Sequence, residues 1–449
     1  MKELDHIKNI YFIGIGGIGM SALAHYFHTT GKKVYGYDKT PTRITKSLEV
    51  LEIDITYDDA VDLIPAKIKN NKETLVVYTP AVPNTHRGLT FFKEGHYTIK
   101  KRSEVLGWLT KEKFCLAVAG THGKTTTTGI LGHILAETGV PVTVFLGGIA
   151  ENYKSNLIQK GNEVIVVEAD EFDRSFLQLY PNIACITSMD ADHLDIYGDV
   201  TVLQESFRTF ASQVKLGGTL FVQQGLDLKG ITVGVDDNSQ YSAKNIRITD
   251  GAYQFDLHHP KGILEDLLIN LPGRHNLSNA VTALAMAINF GIPTSSLAEA
   301  LMNFKGVNRR FTYRIKTEEL VLIDDYAHHP TEIDAVYQSV KEMYPGEKAL
   351  VVFQPHLFSR TRDFMKEFAT SLSQFDEVIL LDIYPAREEP IKGVDSNALL
   401  DLITVSKKRK SSKENLVKWM KESDARIQVM LGAGDIGDEI LKVTKTLTR

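Results

Sequence analysis

The chain has 449 residues, which at roughly 150 residues per domain favours about three domains. Its formal net charge is -5, with 43% hydrophobic and 24% charged residues, so the composition is globular and argues against a general nucleic-acid or anionic-membrane binder. Only two cysteines occur, which excludes a disulfide framework and a CxxC zinc site. We expect both thiols, Cys115 and Cys185, to be buried apolar groups.

No segment has the pattern of a targeting or membrane sequence. The first ten residues, MKELDHIKNI, lack the apolar run of a signal peptide, and no run of about 18 apolar residues occurs. We therefore expect a cytoplasmic protein, a monomer or homodimer, that acts on small molecules and binds neither nucleic acid nor membranes.

The first region predicts a strand, a helix and a second strand in succession. Apolar runs at 9–13 and 33–37 predict the strands, and a helical pattern covers 20–29. Another strand is predicted at 75–78, followed by a proline-containing segment at 79–84.

A glycine cluster joins the first strand to the helix. Residues 14–19 read GIGGIG and match G-x-G-x-x-G, and Asp38 stands at the end of the second strand, where a carboxylate can hold a ribose hydroxyl. The pattern requires a diphosphate at a helix N-terminus beside a hydroxylated sugar. NAD, FAD and a UDP-sugar all offer these groups, so the pattern alone does not choose between them.

The middle region predicts parallel strands joined by helical segments. Strands are expected at 114–119, 164–167 and 183–187. Residues 217–259 alternate in short β-like runs and predict a β-rich insertion, and 276–289 has a helical pattern.

A phosphate loop follows the strand that ends at Ala119. The sequence GTHGKTT is a shortened GxxGK[ST] form, and a helical pattern follows it. Glycines let backbone N–H groups wrap a phosphate, Lys124 can reach the outer phosphates, and the Thr125 hydroxyl can ligate Mg²⁺. A chance glycine-rich turn is disfavoured because strand, loop and helix occur in the required order.

Carboxylates follow the two neighbouring predicted strands. Glu168, Asp170 and Glu171 come after the strand at 164–167, and Asp190 begins the run DADH after 183–187. A carboxylate there can face a metal bound to a triphosphate. On chemistry alone, His193 at the end of that run is more typical of a backbone-bonded histidine than of a ligand for a hard cation.

The third region predicts strands at 320–323, 349–353, 377–381 and 427–431. Each ends in polar or glycine-rich residues: DDYAHHP, QPHLFSRTRD, DIYPAREEP and GAGDIGD. Ligands bind beyond the carboxyl ends of strands in doubly wound sheets, so these ends predict one shared cleft. The basic run at 407–413 is interpreted as a solvated surface segment.

Taken together, these residues resemble the Mur ligase family over essentially the whole chain. The motifs that carry the resemblance are GIGGIGMS, GTHGKTTT, EADEFDRSFL, DADHLDIY, GRHNLSNA, GVNRRF, DDYAHHPTE, FQPHLFSRTRD, DIYPAREEP and GAGDI. Their number and their order along the chain make the resemblance specific.

The resemblance implies an α/β fold of three domains. Residues 1–110 would form a Rossmann-like domain that binds a UDP-sugar, 111–307 a central P-loop ATPase domain with a mostly parallel sheet, and 308–449 a Rossmann-like domain that receives the amino acid. It also implies an ADP-forming amide-bond ligase that joins L-alanine to UDP-N-acetylmuramate at the expense of ATP, with Mg²⁺ or Mn²⁺ as the metal.

The resemblance further implies a role for each matching residue. Catalysis would involve Lys124, Glu168 and His193, and the metal would be held by Thr125, Glu168 and His193. The expected ATP-binding residues are Gly120, Thr121, His122, Gly123, Lys124, Thr125, Thr126, His275, Asn276 and Asn279. The expected UDP-sugar residues are Gly14, Gly16, Gly17, Ile18, Gly19, Asp38, Thr79 and Ala81. The expected amino-acid residues are Tyr326, His328, His329, His356 and Arg360, with Asp325 beside them.

Several positions depart from the family pattern. Leu357 stands where arginine is frequent, so carboxylate binding would rest more on Arg360 and Arg362. Ser188 replaces a familiar asparagine, and Tyr37 stands where many members have serine. The carbamylated lysine of later-step ligases is absent, the first lysine in that stretch being Lys215, which fits the alanine-adding branch.

Other interpretations stay open beside this one. The runner-up is the recycling ligase that joins a ready-made peptide to UDP-N-acetylmuramate, although FQPHLFSRTRD is not expected in it. A nucleotide-gated switch protein would show no amino-acid-dependent ADP release, and a dehydrogenase would use the first glycine motif for a nicotinamide cofactor. Folylpolyglutamate synthase lacks the first domain.

Overall fold

The structure, a computed structural model, describes residues 3–68, 71–190, 197–249, 251–386 and 388–448. The chain divides into two compact units. One unit holds residues up to 246 together with 255–269 and 278–305, and the other holds 247–254, 270–277 and the residues from 306 onward.

A five-stranded parallel sheet forms the first part of the chain, with the strand order β3-β2-β1-β4-β5. Its strands are β1 Asn9–Ile13, β2 Lys33–Tyr37, β3 Asp54–Thr56, β4 Thr74–Tyr78 and β5 Thr98–Lys101. Its helices are α1 Ile18–Thr29, α2 Arg43–Val50, α3 Arg87–Glu94 and α4 Arg102–Glu112, with short 3-10 turns at Val61–Leu63, Ala66–Ile68 and Asn71–Glu73. The three predicted strands and the first helix are confirmed.

Alternation along β1 shows why this sheet is covered on both faces. Ile10 and Phe12 belong to one buried cluster, whereas Tyr11 and Ile13 belong to another. Since successive side chains of a strand point to opposite faces, an unbroken apolar run marks a strand that is buried on both sides.

A ten-stranded sheet forms the middle of the chain, in the order β15-β14-β13-β12-β11-β10-β6-β9-β7-β8. Its strands are β6 Phe114–Ala119, β7 Val142–Ala150, β8 Ser155–Gln159, β9 Val164–Ala169, β10 Ile183–Ile186, β11 Thr219–Gln223, β12 Ile231–Val235, β13 Tyr241–Thr249, β14 Ala252–His259 and β15 Gly262–Ile269. The accompanying helices are α5 Lys124–Glu137, α6 Val200–Ser212, α7 Arg274–Phe290 and α8 Leu297–Met302, with 3-10 turns at Phe172–Gln178 and Thr294–Ser296.

The predicted β-rich insertion is confirmed and extends to Ile269, but one prediction for the middle region is wrong. Only helical segments are predicted between the strands at 114–119 and 164–167, whereas α5 is followed by the antiparallel hairpin of β7 and β8. Gly139 and Pro141 mark the end of the helical pattern, and the run at 142–144 is β-branched, so the sequence carries the signal for a strand there.

The hairpin also packs against the first part of the chain, within the same compact unit. The Asn156 Nδ2 donates to the carbonyl oxygen of Ile18 at 2.6 Å and to the Ser21 Oγ at 2.8 Å. The Tyr26 hydroxyl donates to the Asn162 Oδ1 at 3.0 Å. These bonds fix helix α1 against β8 and the loop that follows it.

A six-stranded sheet forms the last part of the chain, in the order β16-β17-β21-β18-β19-β20. Its strands are β16 Thr312–Lys316, β17 Val321–Asp325, β18 Ala349–Phe353, β19 Glu377–Leu380, β20 Lys407–Lys410 and β21 Ile427–Leu431. Its helices are α9 Pro330–Met343, α10 Phe358–Asp363, α11 Met365–Leu372, α12 Ser396–Leu402, α13 Leu416–Glu422 and α14 Ile436–Leu447. The four predicted strands are confirmed, and the antiparallel strand β16 lies at one edge.

The basic run at 407–413 is more ordered than a solvated segment. Its first four residues form the edge strand β20, and their cations have local partners: Lys407 pairs with Glu377 at 3.0 Å, and the Arg409 guanidinium lies 4.2 Å from the Trp419 ring centre. Charged side chains on an edge strand prevent another strand from pairing with it. The run therefore closes one edge of the sheet.

Both cysteines are buried without a disulfide, as expected. Burial raises the pKa of Cys115 to about 12, so its thiol stays protonated and unreactive. None of the helices in the described part of the chain is long and apolar enough to cross a bilayer.

Phe176 anchors the segment that follows β9. Its ring is fully buried, stacks on Phe210 at 5.1 Å and meets Phe207 edge-on at 5.2 Å. The 3-10 turn that carries Phe176 starts directly after the predicted acidic residues 168–171, so this packing holds that segment in place.

We expect Phe176→Ala to lower the free energy of unfolding of its unit by about 3–5 kcal/mol, because it leaves a cavity in the core. Urea denaturation measures the change. Val50→Ala, at a position that is 82% exposed, serves as the control and should stay within about 0.5 kcal/mol of the parent. Equal effects of the two substitutions would contradict the role assigned to Phe176.

Candidate active site

The phosphate loop lies between β6 and α5, and two glycines make it possible. Gly120 has a φ of 137°, and a Cβ there would lie 2.1 Å from the Thr187 Oγ1. Gly123 caps α5 with a φ of 81°, and a Cβ there would lie 2.5 Å from the Asn279 Oδ1. Both positions thus combine a left-handed backbone with close packing, which only glycine tolerates.

Lys124, the first residue of α5, forms a buried ion pair with Glu171. The ammonium lies 2.8 Å from Glu171 Oε2 and 2.9 Å from Oε1, and it donates to the carbonyl oxygen of Gly120 at 2.7 Å. Burial alone would lower the pKa of Lys124, but the carboxylates of Glu171, Asp170 and Glu168 outweigh it and raise that pKa. The lysine therefore remains a cation inside the loop.

Thr125 and Glu168 supply adjacent oxygen donors. The Thr125 hydroxyl donates to Glu168 Oε1 at 2.8 Å, and the backbone N–H of Gly147 donates to Oε2 at 2.8 Å. A hydroxyl beside a carboxylate suits a hard cation such as Mg²⁺. The third predicted ligand, His193, lies outside the described residues, and within the described ranges no group of three or more His, Cys, Asp and Glu side chains forms a metal site.

Ser188 holds the phosphate loop from the neighbouring strand end. Its Oγ lies 2.9 Å from the Thr121 Oγ1 and accepts from the His122 N–H at 2.8 Å. The His122 Nε2 in turn lies 3.6 Å from an oxygen of Asp190. Ser188, which stands where asparagine is familiar, thus contacts the phosphate loop through its hydroxyl. Thr126, the last predicted residue of the loop, is buried in the first turn of α5.

The structure brings one of the three predicted residues of α7 to the phosphate loop. Asn279 packs against Gly123. His275 and Asn276, one turn earlier, belong to the other compact unit, where Asn276 Nδ2 donates to the carbonyl oxygen of Pro272 at 2.6 Å.

The first glycine cluster is held by Asp38, which follows β2. The Asp38 carboxylate accepts from the Gly16 N–H at 2.7 Å and from the Thr40 N–H at 3.2 Å. A Cβ on Gly14 would lie 3.0 Å from the Thr79 side chain, so the loop lies directly against the segment after β4.

A pocket of about 320 Å³ opens beside this cluster. Among the predicted sugar residues it is lined by Gly17, Ile18, Gly19, Thr79 and Ala81. At its other end the lining residues are Gly147, Glu168 and Asp170, together with Arg102, which the sequence patterns did not single out. The pocket therefore extends from the first glycine cluster to the carboxylates beside the phosphate loop.

A row of rings lies at the carboxyl edge of the third sheet. Tyr326 and His328 have ring centres 5.4 Å apart, His328 and His356 6.1 Å apart, and His356 stacks on Tyr384 at 5.7 Å. The structure thus brings three predicted residues together. Tyr384 was missed as a site residue, although it belongs to the quoted run DIYPAREEP.

The two other predicted residues of this region are His329 and Arg360. His329 is buried at the start of α9, and its ring lies 4.7 Å from that of Phe364. Arg360 is half-buried on α10, one turn after Leu357, which holds a φ of 72°. A positive φ at leucine is a strained conformation, and here it turns the chain into the helix that carries Arg360.

Lys215 has a structural role. Its ammonium donates to the carbonyl oxygen of Thr110 at 3.0 Å and to the Asn182 Oδ1 at 3.2 Å. It thereby satisfies the backbone at the end of α4.

Asp325 is a buried carboxyl at the end of β17. It accepts from the Phe311 N–H at 2.6 Å and from the Ala327 N–H at 2.7 Å. Burial raises the pKa of Asp325 to about 6, although nearby Arg310 opposes the rise. The group therefore titrates near neutrality, beside the row of rings.

The fold and the site define an α/β nucleotide-binding protein. One of its glycine loops lines a pocket, and the other contacts Glu168, a carboxylate of that pocket, through Thr125. Models of the Mur ligase family, catalytic domain, the Mur ligase middle domain, and the Mur ligase, glutamate ligase domain match residues 9–114, 118–287 and 309–438. The chain belongs to the Mur ligase family.

Individual relatives are similar over nearly the full length. The chain is 60% identical to UDP-N-acetylmuramate--L-alanine ligase of Christiangramia forsetii, covering 100% of this chain and 99% of the relative. It is also 60% identical to the enzyme of that name from Flavobacterium psychrophilum, covering 99% of each.

Solved structures show the same architecture. UDP-N-acetylmuramate-alanine ligase MurC of Thermotoga maritima superposes with a TM-score of 0.83 at 29% identity, covering 98% of this chain and 99% of that one. A murein peptide ligase of Psychrobacter arcticus gives a TM-score of 0.71 at 22% identity, covering 98% of each chain, and shares the fold.

The raised pKa of Asp325 predicts a pH-dependent stability. The folded carboxyl keeps its proton up to about pH 6, whereas the unfolded one ionises near 3.8, so the stabilisation present at low pH is lost as pH rises through this window. Relative to the parent, Asp325→Asn should gain up to about 3 kcal/mol between pH 4 and 7. Urea denaturation across that range measures the difference, and a pH-independent difference would contradict the assignment.

Proposed function

We propose that the protein joins L-alanine to the lactyl carboxylate of UDP-N-acetylmuramate, with conversion of ATP to ADP and phosphate, in bacterial peptidoglycan precursor synthesis in the cytoplasm. The observation that carries the proposal is the pocket that links the first glycine cluster to Glu168. A sugar nucleotide held by its diphosphate at the cluster would extend its carboxylate towards the phosphate loop.

The three-domain division belongs to this proposal. Residues 1–110 bind the UDP-sugar, 111–307 bind ATP, and 308–449 receive the amino acid. The three matched family models, at 9–114, 118–287 and 309–438, support this assignment.

ATP and Mg²⁺ fit the residues present. Gly120 and Gly123 give the loop the positive-φ backbone that it needs between β6 and α5. The Thr125 hydroxyl beside Glu168 offers hard oxygen donors, and His193 is the proposed third ligand. When bound, the metal supplies positive charge that neutralises the triphosphate. Lys124 adds a second positive charge at the outer phosphate, and Asn279 beside Gly123 borders the nucleotide.

The carboxylate is a poor acyl donor, which explains the need for ATP. The carboxylate oxygen attacks the γ-phosphorus, and the bond to the β-phosphate oxygen breaks, so that ADP leaves and an acyl phosphate forms. Lys124 stabilises charge on the transferred phosphoryl group. The neutral amine of alanine then attacks the acyl carbon, phosphate leaves, and the amine loses a proton to solvent or to a base such as His193 or His329.

The third sheet supplies the amino-acid site in this proposal. Arg360 binds the carboxylate of alanine, and Tyr326, His328 and His356 surround it.

The second candidate is the recycling ligase that joins a ready-made peptide to UDP-N-acetylmuramate. The fold shared with the murein peptide ligase of Psychrobacter arcticus is compatible with this activity. The relatives at 60% identity, however, are named UDP-N-acetylmuramate--L-alanine ligase, which favours the alanine-adding activity.

Phosphate release tests the proposal directly. The full chain is incubated with ATP, Mg²⁺ and UDP-N-acetylmuramate, and then with L-alanine, L-serine, glycine or the tripeptide. Release should depend on both the sugar nucleotide and alanine. Stimulation by the tripeptide but not by alanine would establish the recycling activity instead.

Lys124→Ala should reduce turnover about 1,000-fold or more, because the transferred phosphoryl loses its charge partner. Phosphate release measures the loss, and Lys154→Ala, at an exposed lysine paired with Glu151, is the control. Because Lys124→Ala leaves Glu171 buried without its cation, the double variant Lys124→Ala/Glu171→Gln separates loss of chemistry from loss of folding. A near-normal rate in Lys124→Ala or in the double variant would exclude the role of Lys124 in phosphoryl transfer.

Arg360→Ala should raise the KM for alanine about 10- to 100-fold and change the KM for ATP much less, since a bond to a charged carboxylate is lost. Arg362, 54% exposed and paired with Asp363, is the matched comparison and should have the smaller effect. Equal changes in both KM values, or a larger effect at Arg362, would count against the assignment.

A further inference from the structure

The sugar-nucleotide pocket contains a cation that no pattern singled out. Among the described residues that line it, Arg102 is the only lysine or arginine, while Glu168 and Asp170 are negative. Two phosphates therefore enter a pocket whose side-chain charge is otherwise negative. A site of that kind requires a local positive charge to hold them.

Arg102 lies against the first turn of α1. A Cβ placed on Gly19 would lie 2.9 Å from Arg102 Nη1 and 3.2 Å from the guanidinium carbon. The side chain is 24% exposed and lines the pocket. It therefore borders the end of the helix where backbone N–H groups favour an anion.

The ion pair between Arg102 and Asp170 is weak. Arg102 Nη2 lies 4.0 Å from Asp170 Oδ2, the limit of an ion pair, and the Asp170 side chain is 41% exposed. A contact of this length does not saturate a guanidinium that has five donors. Arg102 can therefore turn to a stronger acceptor without leaving a buried charge behind.

The geometry points to Arg102 as the residue that clamps the diphosphate of the sugar nucleotide, in competition with its weak ion pair to Asp170. This inference rests on the proposed function. The planar fork of arginine matches two phosphate oxygens, and its position at Gly19 places it beside the glycine cluster. The lactyl carboxylate lies towards Glu168 and depends on other groups.

The third glycine of the cluster acquires a specific role from this position. Gly19 lies inside α1 with no need for a positive φ, since only Gly14 in the cluster has one. What a side chain at 19 would displace is the guanidinium itself. Gly19 thus makes room for Arg102.

Calorimetric titration of the full chain tests the inference with three ligands: UDP, UDP-N-acetylglucosamine, which lacks the lactyl carboxylate, and UDP-N-acetylmuramate. Arg102→Ala should weaken all three by a similar factor of about 10 to 100. Arg102→Lys should recover part of the loss. Asp170→Asn should tighten binding a few-fold, because the Asp170 carboxylate no longer competes with the diphosphate for the Arg102 guanidinium.

Lys101→Ala is the matched control. Lys101 precedes Arg102 and pairs with Asp173 at 2.9 Å, but it does not line the pocket. Its removal should change each Kd less than about two-fold. Gly19→Ala keeps the arginine but displaces it, so it should weaken binding even if Arg102→Ala is poorly folded.

The outcomes separate the two proposals. If the parent chain binds none of the ligands, both the proposed function and this inference are wrong. If the parent chain binds UDP-N-acetylmuramate, and Arg102→Ala and Lys101→Ala change its Kd by the same factor, only the inference is overturned. A loss confined to UDP-N-acetylmuramate would overturn it too, because it would place Arg102 on the carboxylate.

Discussion

The register between β6 and β9 is the constraint on which the proposed ATP site depends. The two strands run parallel, with Val118 opposite Glu168 and Ala119 opposite Ala169. The phosphate loop and the acidic segment therefore leave the sheet at the same level, and Thr125 meets Glu168. A slip of one residue would turn Glu168 to the other face of the sheet. The buried apolar residues of both strands oppose such a slip, so the core of the unit fixes the chemistry at its edge.

At this edge of the sheet a buried cation lies among carboxylates, in a chain whose net charge is negative. Lys124 is surrounded by Glu171, Asp170 and Glu168, and the ion pair with Glu171 is buried. Buried pairs of this kind are sensitive to the loss of one partner, because the remaining charge is then unpaired. The first glycine cluster is likewise held by a carboxylate, since Asp38 accepts from the Gly16 N–H. Both glycine loops are thus held by carboxylates of the chain itself.

Much of this architecture could be predicted from the sequence, because strong local signals coincide. Long apolar runs gave the central strands, and the order of strand, glycines and helix gave both loops. The short strands β3 and β5 were missed because their residues are exposed or half-exposed. The hairpin of β7 and β8 was missed although Gly139 and Pro141 separate its first strand from α5. Arg102 and Tyr384 were missed for a different reason. Arg102 packs against Gly19 and Tyr384 stacks on His356, and neither tertiary contact can be predicted from a local sequence pattern. The sequence placed Asp38, Thr125 and Glu168 near their glycine loops. It did not predict that the Ser188 hydroxyl contacts the phosphate loop.

The hairpin of β7 and β8 has a consequence for inhibition. Through Asn156 it fixes α1, and through Gly147 it orients Glu168, so one rigid frame holds both ends of the pocket. A bisubstrate compound that spans this distance would meet preorganised groups at each end and would lose little affinity to rearrangement of the protein. Its linker length is set by the hairpin. Resistance by a single substitution in the frame would disturb both substrate positions at once, which makes this part of the molecule a durable target.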